Sequence, residues 1–292
     1  MKFEEMRYLI LFLFIFSLGS CGKLIPQVQS DYKLTYNQED SLVILEKRAQ
    51  FKEESLDRMS LLLEKIGRSF IGSPYKAHTL EVGNEETLVI NLREFDCTTF
   101  VETCLALTTT FKMGGYTFDS YQYILKRIRY RDGHLDGYNS RLHYFTDWMT
   151  DNSIKGYVKD AIKIFDGVPY PNQVNFMSNH ISSYPQLVKD STLIPGLIEI
   201  EKKISSRQYF FLPKEDLYKN EVYLEEGWIV AFTTSIDGLD VIHTGITVRK
   251  DNKIHLLHAS SDAGKVVVSD ETLVEYVMGN KLQTGLMLLK ID

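Results

Sequence analysis

Apolar positions between residues 41 and 70 recur at helical spacing: Leu42, Leu45, Ala49, Leu56, Met59, Leu63, Ile66 and Phe70. Steps of three and four put such positions on one side of a helix, so this stretch predicts helices with a core-facing stripe. Gly67 and Gly72-Ser73-Pro74 break the pattern. Residues 88–92 (LVINL) then read as a short strand. Asp96 follows as an N-cap, and Cys97, Phe100, Val101, Cys104, Leu105, Thr108 and Phe111 mark a core-facing helix ending near Gly114-Gly115. Residues 116–220 are mixed, with helical spacing over 121–129 and 144–149. Beyond Gly227 the period becomes that of strands, over 228–233, 241–249, 253–259 and 265–269, before a short helix from Glu271 and a last strand over 286–291. Helices first and an antiparallel meander afterwards predict an α+β fold.

The N-terminus carries a different signal. Tyr8 to Leu18 (YLILFLFIFSL) is an apolar run of eleven. A spanning helix needs roughly 20 such residues and the core of a signal peptide about 7–15, so the run fits export rather than a membrane span. Lys2 and Arg7 flank it, and it ends in Leu18-Gly19-Ser20-Cys21, which resembles a bacterial lipobox. The implied layout is a signal peptide over 1–20, lipidation at Cys21, a tether over 21–40 and one folded domain over 41–292. The implied location is the periplasm, held to a membrane by a lipid anchor.

Composition supports a globular domain: 44% of the 292 residues are hydrophobic and 25% charged. The net charge of −6 argues against nucleic acid as a partner. With Cys21 assigned to the anchor, Cys97 and Cys104 remain. Seven residues along one helix separate them by ~10 Å, beyond the roughly 7 Å that a disulfide spans. Unpaired thiols in an exported protein ask for a reason.

Cys97 supplies one. It opens a helix after a strand-like run, where the helix dipole favours a thiolate, whereas Cys104 lies two turns inward as core. On this reading Cys97 should alkylate at mildly acidic pH. A thiolate nucleophile needs a base and a group to orient that base. Three of the seven histidines, His243, His255 and His258, fall in the C-terminal meander. Opposing His243 to His258 centres the hairpin turn between Lys250 and Asp251, puts both rings on one sheet face and leaves His255 on the other. Arg141, His143, Tyr144, Asp147 and Trp148 form a second cluster: a pocket for sugar rings and a peptide carboxylate, or a solvated helix with one buried Trp. Asp96 can serve as an N-cap or meet a ligand amine. The histidines have no carboxylate or Cys at metal-ligand spacing, so neither a metal nor another cofactor is required.

Phe95-Asp96-Cys97-Thr98-Thr99-Phe100, followed by His243-Thr244-Gly245-Ile246 and Leu257-His258-Ala259-Ser260-Ser261, resembles the NlpC/P60 cysteine peptidases. The closest resemblance is to the DUF1460 branch, the N-acetylmuramoyl-L-alanine amidase-like proteins. Ile71-Gly72-Ser73-Pro74-Tyr75, Asn91-Leu92-Arg93, Ser140-Arg141-Leu142-His143-Tyr144 and Phe176-Met177-Ser178-Asn179-His180 extend it over residues 71–261. The resemblance implies a papain-like α+β core. The 146-residue spacing from Cys97 to His243 is longer than a minimal core needs, so the extra stretch, about 116–220, reads as an insertion that sets substrate selectivity. The resemblance implies cleavage of the muramoyl–L-alanine amide in peptidoglycan fragments, anhydro-muropeptides among them, with Cys97 as nucleophile, His243 as base and His258 as orienting residue. It also implies Tyr75 beside the oxyanion and His180 on a ligand-facing loop. Two other functions stay open: a stem-peptide endopeptidase cutting between D-glutamate and the diamino acid, and an inactive muropeptide-binding module. A fold-related acyltransferase is a more distant fourth.

Overall fold

The computed structural model describes residues 32–54, 58–171 and 173–291. The expected signal peptide over 1–20, the expected lipidation site Cys21, and Leu56 lie outside the described residues. Strand β1 (Leu34–Thr35) pairs in parallel with β2 (Leu88–Val89). Between them run α1 (Gln38–Phe51) and α2 (Met59–Arg68). The expected tether over 21–40 is therefore corrected for residues 32–40, which are folded onto the body. Asp40 explains why: its fully buried carboxylate accepts the Leu92 N–H at 2.9 Å and Arg93 Nε–H at 3.1 Å.

The α1 stripe is corrected as well. Its buried positions are Asp40, Ile44, Lys47 and Phe51, whereas Leu42 and Leu45 face outward. In α2 the expected Met59, Leu63 and Ile66 are buried. Next come α3 (Cys97–Lys112), with Asp96 as its N-cap, and α4 (Phe118–Arg129). Of α3, Phe100, Val101, Cys104, Leu105 and Phe111 all reach the core, because the helix is covered by α2, α4 and the sheet.

The stretch expected as an insertion is woven into this body. It holds α5 (Phe145–Ile154), β3 (Lys159–Asp160), β4 (Val168–Tyr170), α6 (Phe176–Asn179), α7 (Pro185–Lys189), α8 (Leu193–Ser205), β5 (Tyr209–Pro213) and α9 (Leu217–Asn220). The meander follows as β6 (Ile229–Thr234), β7 (Val241–Lys250), β8 (Lys253–Ser260) and β9 (Lys265–Thr272), then α10 (Leu273–Gly279) and β10 (Gln283–Lys290). The main sheet is antiparallel, ordered β4-β5-β10-β6-β7-β8-β9, with β3 also on β10. Helices and one antiparallel sheet make the fold α+β. Both faces are covered: Ile229 and Ala231 of β6 enter the core shared with α2 and α3, and Val230 and Phe232 enter a second core with Val274 and Val277 of α10.

The β7–β8 register differs from the expected one. Asp251 and Asn252, at φ 51° and 62°, close a two-residue turn that opposes Ile246 to Leu257 and Lys250 to Lys253. His243 and His258 are thus diagonal rather than directly opposed. A slip of two residues keeps both on the same face, because side chains alternate with period two.

Candidate active site

Three segments converge at the start of α3. Residues 72–76 are tied to the β8–β9 turn by Gly72 N–H donating to Val266 O (2.9 Å) and Tyr75 N–H to Gly264 O (2.9 Å). The same segment bridges Phe95 in parallel, which places Tyr75 next to Asp96 and Cys97. Asp96 closes a capping box: its carboxylate accepts Thr99 N–H at 2.7 Å, and Thr99 Oγ1 accepts Asp96 N–H at 3.0 Å. Cys97 is therefore the first helical residue and is partly exposed.

The helix-dipole activation expected for this thiol is opposed by its surroundings. Burial and the Asp96 charge push Cys97 up to about 12, although hydrogen bonds from the Thr244 and Thr98 backbones and the Thr98 hydroxyl favour the thiolate. Thr244 follows His243 on β7, so the strand that carries the imidazole also touches the sulfur.

His243 Nε2 and His258 Nδ1 lie 2.6 Å apart with their rings edge-on at 81°. Gly245 leaves room for this contact, since a Cβ there would fall 2.6 Å from Leu256 and 3.1 Å from the His258 Cβ. Burial, then the neighbouring His258, lowers His243 to about 3. Burial lowers His258 to about 4, against an opposing pull from Asp262. At neutral pH both rings are uncharged and share one proton bridge. Tyr276 of α10 completes the cluster, 5.5 Å from His258 and 6.3 Å from His243 between ring centres. Its phenol is raised to about 12 by burial and by Asp262 and Cys97. Tyr75 is raised by burial, Cys97 and Asp96.

Two clefts flank these groups. A small one, about 90 Å³, is lined by Cys97 and His243 together with Leu142, His143, Phe145 and Trp148. A broad one, about 680 Å³, opens beyond His258 and Tyr276 and carries Asp262, Asp270, Glu271 and Glu275. In the small cleft His143 Nε2–H donates to Tyr138 O at 2.9 Å, and burial with the Arg141 charge keeps the ring neutral. Among the described residues no group of three His, Cys, Asp or Glu is placed to hold a metal.

The other expected binding residues line neither cleft. Arg141 is buried and paired with Glu81 (2.5 Å) and Glu86 (3.5 Å). Tyr144 donates to Glu201 Oε1 at 2.7 Å and accepts Met177 N–H at 2.9 Å. Asp147 is held by Arg131 and Arg207. Each serves a buried polar network, because an unpaired polar group there would be costly. His180 is exposed, stacked on Phe176 at 4.1 Å and donating Nδ1–H to its carbonyl at 2.8 Å, outside both clefts.

Sequence reasoning missed Tyr276 and Asp240. Asp240 lines the small cleft and accepts the Thr146 N–H (2.7 Å) and hydroxyl (2.8 Å), capping α5 from a distant segment. Its one legible signal is an acid directly ahead of the strand that bears His243.

A thiol at a helix N-terminus, set on an antiparallel sheet beside two hydrogen-bonded imidazoles, has the parts of a nucleophilic hydrolase. The chain belongs to the AmiA-like family of N-acetylmuramoyl-L-alanine amidase-like proteins, whose family model matches residues 65–286. It is similar to the crystal structure of an N-acetylmuramoyl-L-alanine amidase from Bacteroides uniformis, with 36% identity, TM-score 0.77, and coverage of 80% of this chain and 99% of that one. A Bacteroides fragilis protein provisionally described as a xylanase gives 37% identity, TM-score 0.74 and coverage of 78% and 99%. A Legionella pneumophila protein tied to DUF1460 shares the fold at 21% identity and TM-score 0.65, over 87% of this chain and 94% of that one. No protein of curated function matches the chain.

Proposed function

We propose that this protein is a cysteine amidase of the NlpC/P60 type that hydrolyses the muramoyl–L-alanine amide of peptidoglycan fragments, on the periplasmic side of a membrane that holds it through lipidated Cys21. The observation that carries the reading is the 2.6 Å His243–His258 contact beside Cys97. With His243 Nε2–H donating to His258 Nδ1, the His243 Nδ1 lone pair is free to act as base.

The thiol proton passes to His243 Nδ1 as sulfur attacks the carbonyl carbon of the lactyl group. Each new charge stabilises the other, which offsets the burial that keeps both groups neutral at rest. The Cys97 N–H, an unpaired donor in the first helical turn, and the Tyr75 hydroxyl receive the oxyanion. The imidazolium returns its proton to the alanine nitrogen, the C–N bond breaks, and the stem peptide leaves with its free amine. Water, deprotonated by His243, then cleaves the thioester, releasing the muramoyl carboxylate and restoring the thiol.

The 90 Å³ cleft beside Cys97 suits a methyl-bearing group such as the alanine or lactyl side chain. Mass spectrometry of defined muropeptides, with and without a 1,6-anhydro sugar, tests this reading against the Cys97→Ala variant. Free saccharide plus an intact stem peptide, absent with the variant, is the expected result. A shortened stem still joined to sugar would identify the endopeptidase, and binding without turnover the inactive module.

A further inference from the structure

Helix α1 has a face that the fold leaves uncovered. Opposite its buried side it presents Leu42 (60% exposed), Leu45 (52%) and the exposed Ala49. Spacings of three and four stack these side chains into one stripe. Tyr36, also half exposed, packs against Phe118 with ring centres 4.8 Å apart and planes tilted by 43°, just ahead of the helix. A helix that buries one side and shows an apolar stripe on the other needs a second apolar environment.

We propose that this stripe rests on the lipid surface to which the N-terminus is attached, so that α1 lies in the plane of the membrane interface. The proposal builds on the lipid-anchor reading. Ten residues separate Cys21 from Tyr32, a reach of at most ~35 Å when extended. Strand β1 and α1 are the first described elements after that span. Around the stripe, Arg48 lies over the Tyr116 ring, Lys52 pairs with the neighbouring Glu53 at 3.6 Å, and Glu46 is exposed. These polar groups can stay at the headgroup level while Leu42, Leu45 and Ala49 enter the acyl boundary. The acidic side chains weaken free binding, and the anchor compensates by making docking an intramolecular event at high effective concentration.

The test uses the processed, lipid-bearing protein in vesicles of phosphatidylethanolamine and phosphatidylglycerol with brominated acyl chains. Trp148 and Trp228 are buried, so an added Leu45→Trp reports its own surroundings after subtraction of the parent signal. Its emission should shift to the blue and be quenched about twofold or more, as for a ring seated ~5–10 Å into the interface. Val222→Trp, at a position 82% exposed on the segment before β6, should stay unquenched. An unquenched Leu45→Trp on vesicles that carry the protein would overturn the docking face and leave the anchor intact. Failure to float with vesicles would overturn both. A blue shift that grows with protein concentration and needs no vesicles would assign the stripe to a second copy of this chain.

Discussion

Cys97, raised to about 12, and His243, lowered to about 3, meet as neutral partners. Alkylation of Cys97 by iodoacetamide in the free enzyme should therefore be slow below pH 8 and keep rising with pH; a plateau at mildly acidic pH would contradict this. Asp96→Asn keeps an N-capping oxygen and removes a charge that raises the thiol, so thiolate absorbance should appear at lower pH than in the parent. The acid limb of kcat/KM should lie below the ordinary histidine range near 6.5, because both rings stay unprotonated through it. Cys97, His243 and His258 were legible in the sequence because helix position and strand parity are local properties. Arg141, Tyr144 and Asp147 were not, because their partners Glu81, Glu201 and Arg207 lie far along the chain. Polar and aromatic composition looks the same in a pocket and in a buried network.

At the scale of elements, the sequence defines periods more firmly than it defines which side is buried. In α1 the spacing correctly groups Leu42, Leu45 and Ala49, but the opposite side carries Asp40, whose hydrogen bonds to Leu92 and Arg93 decide how the helix seats. The meander reads better, because its strands are rich in β-branched residues and bounded by turn residues such as Asp251-Asn252. Its register depends on the Asp251-Asn252 turn, which tolerates left-handed backbone at two successive residues. Gly245→Ala should loosen the histidine pair, since the added methyl meets Leu256 and His258 at contact distances that force movement. The expected cost is ~1–3 kcal/mol in denaturant unfolding, with a loss of turnover larger than the loss of substrate affinity. A variant with unchanged kcat would show that the pair does not position the base.

For the whole molecule, the lowered histidines set an acid limit on stability. Between pH 6.5 and about 4 the unfolded chain binds protons at His243 and His258 that the native protein does not. Stability should thus fall as pH drops through that window, by up to ~1.4 kcal/mol per unit for each ring, and be insensitive to these groups above it. His143, also lowered, adds to the same slope. Replacing His243 and His258 with Gln should flatten the slope of midpoint against pH without abolishing it. Glu102 and Arg129, both buried and 2.7 Å apart, join α3 to α4. Glu102→Ala should destabilise by ~3–5 kcal/mol, since it strands a buried guanidinium.

The pairing of Leu34–Thr35 with Leu88–Val89 also has a mechanical meaning. Traction on the chain ahead of Tyr32 would load Lys126 over the Tyr32 ring, the Lys33–Glu85 ion pair, and backbone bonds that include Leu88 N–H to Lys33 O and Ile90 N–H to Thr35 O. Parallel strands pulled lengthwise load those bonds in shear, and behind them Arg129 grips the Val89 carbonyl at 2.5 Å. The β1–β2 pair is thus a shear clip on the segment leading to Asp96 and Cys97, and a single-molecule pull should register its rupture before the nucleophile helix yields.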